Sequence, residues 1–98
     1  MAYCPPELLD DVADLLADVR AWDGVVEKKH NVFYLRRQSF LHFHLLSDGR
    51  RRADVKTRTG WSQFDIPRPI SATRRLNLLR ALRAVHRQDA PPARRTSR

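Results

Sequence analysis

The spacing of apolar residues changes twice along this chain of 98 residues, and that double change limits its folds more than any other feature. Leu8, Leu9, Val12, Leu15, Leu16, Val19 and Trp22 fall in one sector at helical periodicity, while Glu7, Asp10, Asp11, Asp14 and Asp18 fall opposite. This is an amphipathic helix with an acidic outer face, opened by Pro5-Pro6-Glu7 and ended near Ala21 by Asp23-Gly24. From residue 25 to 66 the pattern becomes short β-rich runs at 25–26, 32–35, 40–46, 53–55 and 64–66. Turn-forming residues at 30–31, 36–39, 47–49 and 59–60 separate them. The helical period then returns beyond Pro67-Arg68-Pro69. Ser71 is the expected N-cap, Leu78, Leu79, Leu82 and Val85 the apolar stripe, and Arg80, Arg83 and Arg87 the opposite face, out to about Arg87. The order helix, strands, helix predicts a two-layer α+β domain over residues 1–88. A four- or five-stranded antiparallel sheet is flanked on one face by an N-terminal and a C-terminal helix. Residues 89–98 have nothing to bury and are expected to be a disordered basic tail.

Composition narrows the function classes. A formal charge of +8 rests on 19 Lys and Arg against 11 Asp and Glu, and all but Lys28, Lys29 and Lys56 of the cations are arginines, whose forks suit carboxylates and phosphates. The excess is uneven: residues 1–49 carry net −3 and residues 50–98 net +11. No apolar run approaches a membrane span, the first residues lack the pattern of a secretory signal, and a lone Cys4 offers neither a disulfide nor a CxxC metal motif. A cytoplasmic location is therefore expected, with no membrane partner, and Cys4 is read as incidental near a frayed end. The chain is also too short for a barrel enzyme and lacks a dinucleotide fingerprint or a P-loop.

The segment richest in chemistry is Phe40-Leu-His-Phe-His-Leu-Leu46 with the hairpin after it. Alternation places Leu41, Phe43 and Leu45 on one face and Phe40, His42, His44 and Leu46 on the other. A three-residue loop Asp48-Gly49-Arg50 would pair Leu45 with Ala53 and Phe43 with Val55. It would set His44 opposite Asp54 and His42 opposite Lys56, separating apolar from polar residues by face. His42, His44 and Asp54 would then cluster away from the helices, as metal ligands or as an acid–base group with Asp54 fixing a tautomer. If the preceding hairpin closes over 36–39, Phe33 and Leu35 join Phe40, His42 and His44 in a half-apolar binding face. Histidines on an open sheet face more often fill surface and hydrogen-bond across strands, so structural or binding roles are favoured and no metal or cofactor is assigned. His30 reads as a turn residue and His86 as a helix C-terminal histidine that favours the dipole.

Phe40-Leu-His-Phe-His44, Asp48-Gly49, Ala53-Asp54-Val55, Gly60-Trp61, the prolines at 67 and 69, and the closing Leu-rich helix together resemble the luciferase-domain family of small proteins. The likeness spans residues 24–87 and is most specific at the His-x-His strand and the Gly-Trp pair. The family often has a longer insert before Gly-Trp, here only Thr57-Arg58-Thr59. The resemblance implies neither light emission nor any assigned catalytic residue.

Three readings of function follow. The favoured one is a non-catalytic binding or interaction module, for an unidentified ligand or protein, using Phe33, Leu35, Phe40, His42 and His44. The second is sequence-nonspecific nucleic-acid binding through Arg50, Arg51, Arg52, Arg80, Arg83 and Arg87. The third is a small enzyme resting on His42, His44 and Asp54. A monomer and a homodimer are both compatible with the sequence.

Overall fold

A computed structural model describes residues 2–88, so the tail expected at 89–98 lies outside them. In chain order the elements are β1 (Ala2–Tyr3), a 3-10 helix (Pro6–Val12), α1 (Ala13–Ala21), β2 (Val25–Lys29), β3 (Val32–Leu35), β4 (Gln38–Leu45), β5 (Arg51–Thr57), β6 (Gly60–Asp65) and α2 (Ala72–Gln88). The strands form an antiparallel sheet in the order β2-β3-β4-β5-β6, with β1 pairing with the end of β4 that short β3 leaves open. This is the expected α+β architecture with both helices on one face. No helix among the described residues is long and apolar enough to cross a membrane.

The core lies between the helices and that face. Leu9, Val12, Leu15, Leu16 and Val19 pack from the first helical segment and Leu78, Leu82 and Val85 from α2, against Phe33, Leu41, Phe43, Ala53 and Val55 of the sheet. The first helical segment is not uniform: Leu9 leaves helical geometry (φ −117°, ψ 18°), and the part before Val12 winds as 3-10. Ser71 caps α2 as expected, its Oγ accepting the Arg74 amide at 3.2 Å. His86 holds the Asp23 carbonyl at 2.8 Å and packs on Trp22 at 5.2 Å between centroids.

Three departures from the sequence reading follow from how the strands pair. First, the β4–β5 loop is Ser47-Asp48-Gly49, closed by Leu46 N–H to Arg50 C=O at 2.8 Å, with Gly49 at φ +89°. A three-residue loop needs a left-handed residue at its last position, which suits glycine far better than Arg50. The pairing therefore slides by two residues: His42 faces Asp54, Phe43 faces Ala53 and His44 faces Arg52. An even shift keeps the faces, which is why their separation survives. Second, Phe33 pairs with Leu41 but Tyr34 pairs with Ser39, so Phe40 is an extra residue in β4. Such a bulge turns consecutive side chains to one side, and Phe40 joins Leu41 in the core. Third, residues 2–4 are not frayed. Cys4 is buried, and its amide donates to the Phe43 carbonyl at 3.0 Å.

One buried arginine joins the layers. Arg51 is 3% exposed. It donates to Asp11 at 2.7 and 2.9 Å and to the carbonyls of Leu8 (2.7 Å), Ile66 (3.0 Å) and Pro67 (2.9 Å). Asp11 also accepts the Ile70 amide at 2.8 Å. Removing one partner of such a pair strands a buried charge, so Asp11→Asn should cost about 3–5 kcal/mol in urea unfolding. The Arg51 hydrogen bonds, helped by the Ile70 amide and opposed by burial, hold the Asp11 carboxyl below its ordinary value. Its stabilisation is thus complete above the unfolded carboxyl pKa of about 3.9 and is lost as pH falls through the lower folded value. Asp11→Asn should flatten that part of the acid limb.

The β3–β4 turn carries Arg36 and Arg37 at φ 51° and 70°. Both central residues of this two-residue hairpin turn are left-handed, a geometry that favours Asn-Gly. R36N/R37G should raise stability by about 1–2 kcal/mol, measured as an increased urea midpoint at constant slope.

Candidate functional site

On the sheet face turned away from the helices, the candidate site is built by β1, β4, β5 and β6. His42 and His44 come from β4, and Arg52, Asp54 and Lys56 from β5. Across the ladder, Tyr3 of β1 stands opposite His44, and Trp61 of β6 stands opposite Lys56. Asp54 is the centre of this group. Its Oδ1 accepts Arg52 Nε at 2.8 Å and its Oδ2 accepts Arg52 Nη2 at 3.2 Å. The same Oδ2 lies 3.3 Å from His44 Nε2 and 3.9 Å from His42 Nδ1. The expected convergence of His42, His44 and Asp54 is therefore present, although the partners across the ladder differ from those expected.

Four rings meet on this face. His42 and His44 meet edge to face at 4.7 Å, Tyr3 stacks on His44 at 5.3 Å, and Trp61 tilts against His42 at 4.8 Å. Tyr3 and Trp61 remain 53% and 45% exposed, so they border the patch and present free ring surface. The Nδ1 atoms of both histidines are buried without a hydrogen-bond partner. Burial first, and then the neighbouring His44 and Arg52 charges, push the His42 imidazole below its ordinary value of 6.5, while Asp54 pulls it up.

Three residues assigned to this face belong elsewhere. Phe33 and Leu35 point into the core because Phe33 shares a face with Leu41, and the bulge brings Phe40 there too. A continuous two-residue alternation through 39–41 would hide that switch. Tyr3 and Trp61 are not assigned to this face by the sequence, because a two-residue strand has no periodic signature and the last β-rich run is read as starting at 64, after the turn at 59–60. Gly60 supplies the turn end at φ +131°, and Trp61 is already in the ladder.

The six arginines considered for nucleic acid do not form one footprint. Arg51 is buried on Asp11, Arg50 pairs with Asp48 at 2.7 Å, and Arg52 lies on the histidine face bonded to Asp54. Arg80, Arg83 and Arg87 are exposed on α2, in the helical layer, where the Arg83 guanidinium sits 5.3 Å from the Trp22 ring centre. A tripled arginine in a strand must alternate faces, and this separates 51 from 50 and 52. Hollows of about 330 and 390 Å³ lie beside Leu35, Phe40 and Val85 and beside Leu8, Arg50 and Pro67; neither includes a histidine of the patch. Comparison of the chain with family models, curated proteins and solved structures returned no match.

Because folding lowers the affinity of His42 for a proton, the unfolded chain protonates first as pH falls. Stability conferred by neutral His42 is complete above about 6.5 and declines as the pH drops towards its folded value. Ring-proton NMR should place the His42 midpoint below 6.5, and Asp54→Asn should lower it further by removing the one charge that raises it.

Proposed function

We propose that the chain is a non-catalytic binding module whose uncovered sheet face engages single-stranded nucleic acid. The observation that carries this reading is the pair of half-exposed rings, Tyr3 and Trp61, bordering the two imidazoles on an open antiparallel sheet. Flat exposed rings give bases a stacking platform without demanding a sequence. Charge on the same face suits a polyanion. Lys56 stands beside Trp61 in the ladder, and Lys28 lies 5.1 Å from the Tyr34 ring centre at the far side. The formal charge of +8 adds long-range attraction. The dispersal of the six arginines favours this face over a footprint made of Arg50 to Arg52 and α2. The resemblance of residues 24–87 to the luciferase-domain family is retained as a proposal of kinship and carries no activity.

A fluorescently labelled single-stranded oligonucleotide should bind at low salt, with affinity falling as salt rises. Tyr3→Ala and Trp61→Ala should each cost about 1–3 kcal/mol of binding, whereas R80Q/R83Q/R87Q should leave the ring-dependent part unchanged. Absence of binding at low salt, or binding indifferent to both ring substitutions, would falsify the proposal.

A further inference from the structure

We propose that His42, His44 and Asp54 form a binding site for one divalent transition-metal ion of the zinc class. The inference is independent of the nucleic-acid reading, since it concerns the groups beneath the exposed rings and needs no partner.

The ligand atoms already converge. His44 Nε2 and His42 Nδ1 lie 3.3 and 3.9 Å from the same Asp54 Oδ2, and one donor atom from each residue falls within 4.8 Å of the others. Donors around a tetrahedral zinc ion, each about 2.0–2.2 Å from it, are about 3.4 Å apart. One edge of the triangle fits as it stands, and the others close by rotation of the imidazoles. Two neighbouring strands of the sheet carry the three residues, so the backbone need not move.

Two further observations point to an ion. His42 Nδ1, the nitrogen nearest Asp54, is buried and has no hydrogen-bond partner, and a buried polar atom of that kind calls for a missing ligand. Arg52 holds Asp54 mainly through Oδ1, at 2.8 Å against 3.2 Å for Oδ2. It thereby turns Oδ2 towards the imidazoles, as outer-shell partners of ligating carboxylates do. Its positive charge weakens the attraction for a cation without removing a donor. Two imidazoles and one carboxylate select zinc, cobalt, nickel or copper over magnesium and calcium. Three protein donors leave a fourth position for water or another ligand.

The test is titration of the full-length, untagged chain with Co²⁺, followed by visible absorption and calorimetry. One equivalent should bind with a ligand-field band that Zn²⁺ displaces. Trp61 emission should be quenched, because its ring lies 4.8 Å from that of His42. His42→Gln, His44→Gln and Asp54→Asn should each weaken binding at least about tenfold with unchanged circular dichroism, whereas H30Q/H86Q should not. Should a variant unfold, the wild-type chain decides by NMR: Zn²⁺ must shift the ring protons of His42 and His44 and spare those of His30 and His86. The proposal is overturned if no band appears up to millimolar Co²⁺, if binding survives H42Q/H44Q, or if the shifts fall on His30 or His86 instead. Metal binding without oligonucleotide binding would sink the nucleic-acid reading alone, and the reverse result would sink only this one.

Discussion

The Arg51–Asp11 pair is the contact on which the arrangement of layers depends. Arg51 belongs to β5, Asp11 to the 3-10 helix, and the carbonyls of Ile66 and Pro67 to the joint leading into α2. A single guanidinium with every donor satisfied thus fixes the first helical segment, the sheet and the start of the last helix relative to one another. An aliphatic replacement of similar volume could match its net energy, but it would not specify direction, whereas five directional bonds leave few alternative dockings. Because the pair draws both helical segments to the same side, the other sheet face is left without a covering layer.

On that uncovered face, polar residues are arranged around a carboxylate. Asp54 is buried beside a histidine pair, compensated by Arg52 from its own strand. Charged groups this close to a dry sheet are expensive unless paired, and the pairing accounts for much of the local geometry. It does not account for two imidazole nitrogens that lack partners. The contrast between a well-compensated carboxylate and under-used imidazoles distinguishes this cluster from the ion pairs elsewhere, such as Arg68 on Asp10 or Arg20 on Glu27.

The elements set by long periodic patterns were legible in the sequence. The apolar stripes of both helices, the Ser71 cap and the side of the sheet taken by Leu41, Phe43, His42 and His44 all follow from periodicity and parity. Parity could not select between registers differing by two residues. That choice lay with the left-handed position of the loop, where Gly49 and not Arg50 belongs. Nor could alternation reveal an inserted residue, so Phe33, Leu35 and Phe40 were placed on the wrong side. Tyr3 was invisible for a different reason: its place on His44 comes from an unfilled stretch of β4, a property of the assembled sheet and not of residues 2 and 3.

The bulge at Phe40 has a consequence for how this surface can change. It divides β4 into two stretches whose phases are set separately, one by the β3 hairpin and one by the ladder with β5. The histidines take their orientation from the ladders with β5 and β1, not from β3. The β2–β3 hairpin can therefore be remodelled or altered in length without rotating His42 or His44 from its face, so that half of the sheet serves as a replaceable flank to a fixed chemical centre.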